Sequence, residues 1–135
     1  MMHLEYWNIL TVKTLLENNK YPLLIANSDQ YLEWDFDEFL EASLNPNYEG
    51  SISTFIQNDS NDLKWSYAKI NENGDVMQVA EKEYISPYAT TGIYFWKSSS
   101  NFVKCANQMI AKNDRVKNEF YVGPVYNYSI VNNDK

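Results

Sequence analysis

The chain has 135 residues, 44% hydrophobic and 16% aromatic, with a formal net charge of −7. That length and apolar share give one globular domain with one core and exclude a disordered segment. The acidic balance excludes a nucleic-acid backbone as partner, because phosphodiesters are held by clustered Lys and Arg; a metal or a phosphorylated small molecule stays compatible with it, since a local site can differ in sign from the whole surface.

Leu4, Trp7, Leu10, Val12, Leu15 and Leu16 recur at mostly helical spacing and predict an amphipathic helix over 3–19. Pro22 lacks a backbone donor and suits the first position of a strand, which continues over 23–26. Asp35 with Glu38 forms a capping-box pattern ahead of a helix that runs to about Ser43, and Pro46 prevents its continuation. A strand over 51–57 places Ile52, Thr54 and Ile56 on one face, and a polar loop follows over 58–64. Asn73-Gly74 tolerates the positive φ of a tight turn and joins strands over 65–70 and 76–79 into a hairpin. "TTGIYFW" over 90–96 is dense in β-formers and predicts a central strand. Ser98 caps a helix whose inner face carries Phe102, Val103, Ala106, Met109 and Ile110. The end of the chain reads as short and partly helical. The order predicts an α/β fold with a mixed sheet in a single domain over 1–135.

Cys105 is the sole cysteine, so no intramolecular disulfide and no cysteine-based zinc site can form. This usage suits a reducing compartment, and we expect a cytoplasmic protein with Cys105 in the core. No stretch approaches the ~20 apolar residues that span a membrane, and Glu5 interrupts any signal-peptide pattern. The single histidine, His3, gives no basis for a catalytic triad. Gly50, Gly74, Gly92 and Gly123 are too far apart for a Gly-rich phosphate loop, which excludes the dinucleotide fingerprint and the P-loop.

Asp29 follows the strand over 23–26 directly, beside Asn27 and Gln30. Ligands gather beyond the carboxyl ends of strands in open α/β sheets, and a carboxylate there suits a hard cation such as Mg2+. The same residues also suit a plain Asx-turn. Glu81-Lys82 ends another strand: Glu81 could accept from sugar hydroxyls and Lys82 could hold a phosphate, or both could belong to a solvated turn. Alternation puts Thr91, Ile93 and Phe95 on one face of 90–96 and Thr90, Gly92, Tyr94 and Trp96 on the other. Gly92 in mid-strand implies that something approaches the backbone closely, a helix or a ligand.

The order "LLIANSDQ", "GDVMQVAEKE", "YATTGIYFW", "NEFYV" resembles the central part of the sugar-phosphate nucleotidyltransferases, the nucleoside-diphosphate-sugar pyrophosphorylases of the glucose-1-phosphate thymidylyltransferase type. The resemblance covers about 10–130. It implies a three-layer, Rossmann-like α/β/α fold. It implies that Asp29 binds the catalytic Mg2+, that Glu81 reads sugar hydroxyls, that Lys82 lies near the sugar phosphate, and that Thr91, Gly92 and Tyr94 line the sugar pocket with Asn27 and Gln30 beside it. The implied ligand is a sugar 1-phosphate or nucleotide sugar, and the implied pathway is surface-polysaccharide precursor synthesis.

The chain departs from the family pattern at its N-terminal side, where no strand and Gly-rich loop with a catalytic Arg occur. It ends at Lys135, before the position of a second metal-binding Asp. Glu83 replaces a proline after Glu81-Lys82, and Ala68 stands where many members have glycine. The resemblance therefore implies a partial fold without the nucleotide-binding half, and no turnover by this chain alone. It also leaves one edge of the 23–26 strand open, to be covered by the N-terminal helix, a second copy or a complementing chain. The alternative reading is a non-catalytic interaction or regulatory domain that keeps only the fold.

Overall fold

A computed structural model describes residues 16–132 and 134. The helix predicted over 3–19 lies outside them except for its last turn. The described elements are β1 (Leu23–Ala26), α1 (Phe36–Ser43), β2 (Gly50–Ile56), β3 (Ser66–Ile70), β4 (Val76–Glu81), β5 (Tyr88–Trp96), α2 (Ser99–Ala111), a 3-10 turn (Gly123–Val125) and α3 (Tyr126–Val131).

Local chemistry sets the boundaries. The Asp35 carboxylate accepts from the Glu38 N–H at 2.9 Å and starts α1. Ser98 Oγ accepts from the Asn101 N–H at 3.4 Å and starts α2. In the β3–β4 hairpin Gly74 takes φ +82, and Asn71 Oδ1 accepts from the N–H groups of Asn73 at 2.9 Å and Asp75 at 3.0 Å.

β5 is the hub of the sheet, bonded to β1, β2 and β3, with β4 outside β3. The pairings among the described residues are all antiparallel, so what is seen of the expected mixed sheet is its antiparallel part. β2 runs along one edge of β5. β1 and β3 share the other edge in tandem: β1 pairs from Leu23↔Trp96 to Ala26↔Ile93, and β3 pairs at Tyr67↔Ala89. Between those segments β5 bulges. β2 advances from Ile52 to Thr54 while β5 passes from Tyr94 to Thr90, and Gly92 in the excess stretch adopts φ +83.

The core lies on the sheet face that carries Ala68, Val79, Tyr94 and Trp96, covered by Phe102, Val103 and Met109 of α2 and by Phe120, Val122 and Tyr126. Trp96 is fully buried. It stacks on Tyr126 with ring centroids 4.3 Å apart and meets Phe102 edge-on at 5.2 Å. The Tyr126 hydroxyl donates to the Phe95 carbonyl at 2.7 Å, with the Ser51 carbonyl at 3.2 Å. Gly50 makes room for it: a β-carbon there would lie 2.8 Å from both the Phe95 oxygen and Tyr126 Cε1. Cys105 belongs to this core, as its place in the α2 pattern predicts. On the opposite face, Ser43 of α1 bonds Ser51 Oγ at 2.5 Å. Helices thus flank both faces of the sheet, the layering of an α/β/α fold.

Candidate functional site

A cleft of about 230 Å3 opens at the fork where β1 and β3 diverge along β5. Asn27, Asp29 and Gln30 enter it from the loop after β1; Lys64, Trp65 and Ser66 from the segment leading into β3; Glu81 from the end of β4; Thr90, Gly92 and Tyr94 from β5; Tyr121, Val122 and Gly123 from the segment after α2. The bulge creates the gap, because it ends the β1 pairing before the β3 pairing begins. A second cavity, about 360 Å3, lies between α3 and the sheet. Its walls are mostly apolar, whereas convergent polar groups mark the smaller cleft as the candidate site.

Six residues singled out from sequence meet in the cleft: Asn27, Asp29, Gln30, Glu81, Gly92 and Tyr94. Asn27 donates its backbone N–H to the Gly92 carbonyl at 3.2 Å. Its side-chain amide is what approaches Gly92 so closely: a β-carbon at 92 would sit 2.1 Å from Asn27 Nδ2. Asp29 and Gln30 are exposed at the mouth. Glu81 is 8% exposed, and Ser66 Oγ donates to its carboxylate. The Tyr94 and Thr90 hydroxyls bond each other at 3.0 Å.

Two candidates stand elsewhere. Thr91 donates its hydroxyl to the Ser53 carbonyl at 3.3 Å and does not line the cleft. The neighbouring Thr90 does, as the alternation that groups it with Gly92 and Tyr94 allows. Lys82 takes a left-handed φ of 56° and donates its N–H to the Trp65 carbonyl at 2.9 Å. Its Nζ lies 5.5 Å from the centroid of the Tyr121 ring, one layer outside the lining.

Sequence reasoning missed Lys64, Trp65, Ser66 and Tyr121. The 58–64 stretch reads as a polar loop, but Asp62 organises it. Asp62 Oδ2 accepts from Trp65 Nε1 and from Gln57 Nε2, each at 2.9 Å, and lies 3.5 Å from Lys64 Nζ. Its carbonyl accepts from the Tyr67 hydroxyl. Partial desolvation pushes the Asp62 carboxyl up, but the Trp65 bond, the Lys64 amide and the Lys64 charge together hold it below its ordinary value. The signal that could have found this wall was "DLKW" leading into a strand: an acid, a cation and an indole N–H within four residues.

Among the described residues no group of three or more His, Cys, Asp and Glu could hold a metal. One exposed carboxylate, Asp29, is enough for Mg2+ when a substrate phosphate and water complete the coordination. The donors present therefore fit an ion shared with a ligand and do not fit a caged resident one. No described helix is long and apolar enough to cross a membrane.

Comparison with curated proteins found no match. Among solved structures the chain is similar to the nucleoside-diphosphate-sugar pyrophosphorylase from Vibrio cholerae RC9, with 23% identity and a TM-score of 0.63 over 84% of this chain and 45% of that one. It is similar to a Bacillus anthracis protein assigned as a glucose-1-phosphate thymidylyltransferase, in complex with a sucrose, with 18% identity and a TM-score of 0.63 over 90% of this chain and 46% of that one. HddC from Yersinia pseudotuberculosis follows at 20% identity and a TM-score of 0.51, over 85% of this chain and 44% of that one. The chain thus spans less than half the length of these structures, and they share its fold. The family model for nucleotidyl transferases matches residues 8–121, and the chain belongs to the nucleotidyl transferase family.

Proposed function

We propose that the cleft binds a sugar 1-phosphate or a nucleoside-diphosphate sugar, and that the chain forms the sugar-side part of a sugar-phosphate nucleotidyltransferase. The observation that carries this reading is the convergence of Asn27, Asp29, Gln30, Glu81, Gly92 and Tyr94 on one cleft. Glu81, fixed by Ser66, accepts hydrogen bonds from sugar hydroxyls. The amides of Asn27 and Gln30 and the Thr90–Tyr94 hydroxyl pair supply both donors and acceptors. The low exposure of Glu81 strengthens its bonds to a ligand.

The reaction in such a site joins an oxygen of the sugar phosphate to the α-phosphorus of a nucleoside triphosphate. The bond from that phosphorus to the bridging oxygen breaks, and pyrophosphate leaves. Positioning and charge neutralisation supply most of the rate in such transfers. Mg2+, held by Asp29 and the ligand phosphate, would supply part of that neutralisation. This chain carries no Gly-rich loop for the triphosphate, so the reading assigns it ligand binding and leaves turnover to a complemented site.

Calorimetric titration of the chain with glucose 1-phosphate and dTDP-glucose tests the reading. We expect binding that Glu81→Gln weakens about tenfold, the effect of losing a charged acceptor. A well-folded chain that binds neither ligand sinks it and leaves the non-catalytic domain. Pyrophosphate release by the purified chain from a nucleoside triphosphate and sugar 1-phosphate would overturn the need for complementation.

A further inference from the structure

We infer that the larger cavity, about 360 Å3 between α3 and the sheet, is a second ligand site. It takes an uncharged, elongated, mostly apolar molecule that ends in an amide or carbonyl oxygen, and that oxygen accepts from Trp96 Nε1. The inference goes beyond the sugar-phosphate reading and does not depend on it. An orphaned donor carries it. Trp96 lines the cavity and is fully buried, and its Nε1 has no hydrogen-bond partner among the described residues. A buried N–H left unpaired is costly, and native chains pair such groups with protein, water or a ligand. The aromatic neighbours do not supply the acceptor. The Tyr126 ring stacks at 4.3 Å and 21°, so the in-plane N–H does not point at its face. Phe102, edge-on at 5.2 Å, offers at most a weak π acceptor.

The walls set the rest of the ligand. Gly50, Ile52, Ala68, Ile70, Val76 and Ile130 give it an apolar lining. A water needs several polar partners to stay in place. The hydroxyls of Tyr126, Ser51 and Ser129 are already engaged with the Phe95 carbonyl, Ser43 Oγ and Asp134 Oδ2. An acceptor carried on an apolar body suits this lining better than a lone water does. Trp96 and Tyr88 both line the cavity and are the two ends of β5, so it runs along the strand and suits an elongated molecule. Apolar cavities of about 150 Å3 take benzene, so this one has room for a ring and a chain. A carboxylate head fits poorly, because apolar walls do not repay its desolvation. Glu49, Asp75 and Asp134, which also line the cavity, repel it as well.

The test is titration of the full chain with 4-phenylbutanamide, and with 4-phenylbutanoate as its charged counterpart, while the indole N–H signals are followed by NMR. Trp96→Phe identifies the Trp96 signal by its loss. Thr54→Trp fills the cavity from a half-buried wall position and keeps the donor. Thermal unfolding is the folding control. The amide should move the Trp96 indole proton downfield and saturate. The carboxylate should bind about tenfold more weakly or worse. Trp96→Phe should weaken the amide about threefold or more, the effect of one lost hydrogen bond, and Thr54→Trp should abolish its binding. A Trp96 signal in the wild-type chain that the amide leaves unmoved overturns the inference on its own. So does a long-lived water at that N–H which the amide does not displace. Wild-type affinity in a Thr54→Trp chain with an unchanged unfolding midpoint, or in Trp96→Phe, overturns it too.

Discussion

The side chain of Asn27 lies against the α-carbon of Gly92, so close that a β-carbon there would sit 2.1 Å from Asn27 Nδ2. The contact joins the end of β1 to the bulge in β5. The same two residues also share a backbone bond, Asn27 N–H to Gly92 carbonyl, at 3.2 Å. The floor of the cleft is thus set by a strand end and a bulge that fit only when position 92 has no side chain.

Gly92→Ala should therefore destabilise the chain and displace the 27–30 loop. The left-handed φ alone costs about 1–3 kcal/mol for a non-glycine residue, and the clash adds to it. Asn27→Ala in the same chain should relieve the clash and not the φ, so the double variant recovers part of the loss. Urea unfolding of the two single variants and the double variant measures this. A Gly92→Ala chain as stable as wild type would contradict it.

How much of this was legible follows from the range of each interaction. Asp35, Asn73-Gly74 and Ser98 announced caps and a turn because their partners lie within a few residues. Gly92 announced a close approach, but its partner sits 65 positions earlier in the chain, in the numbering Asn27 to Gly92, and nothing local names it. The alternation of β5 put Thr90 beside Gly92 and Tyr94; choosing Thr91 came from the family resemblance and not from the pleat. Lys64 and Trp65 were hidden because a polar loop looks solvated until Asp62 is seen to bond Gln57 and Trp65. Lys82 looked like a cleft residue because the backbone turn that carries it outward is a left-handed φ on a non-glycine residue, which composition does not reveal.

Tyr126→Phe tests the buried core beside the cleft. The hydroxyl donates to the Phe95 carbonyl inside a cluster where Tyr126 itself is buried. Burial, with the nearby Tyr94 adding to it, pushes the phenol well above its ordinary value despite the Phe95 bond, so it stays a neutral donor throughout the usual pH range. Removing it leaves that carbonyl without this partner and should cost about 1–2 kcal/mol. Denaturant midpoints at an unchanged slope would show it; a loss under about 0.5 kcal/mol would mean another donor replaces it.

Cys105 should be inert in the folded chain. Burial, with Asp134 as a further contribution, pushes its thiol from 9.0 to about 11. A thiol reagent at pH 8 should label it only as fast as the protein opens, and denaturant should make labelling fast. The folded value is the raised one, so the contribution to stability is full below 9.0 and falls as pH rises towards about 11, where the unfolded thiol ionises first. Cys105→Ala should lose that part of the alkaline slope. Rapid labelling of the native chain would refute the buried assignment.

Asp29 gives the sharpest test of the metal, because its charge acts in opposite directions with and without Mg2+. Without the ion, a carboxylate at the cleft mouth repels a sugar phosphate, so Asp29→Asn should bind glucose 1-phosphate at least as tightly as wild type. With the ion present, the carboxylate becomes a ligand that the amide replaces poorly. Wild type should then gain affinity, EDTA should reverse the gain, and the variant should gain little. A loss of fold would weaken binding under both conditions, so the crossing pattern belongs to the metal alone. Equal gains in wild type and Asp29→Asn would remove Asp29 from the metal site.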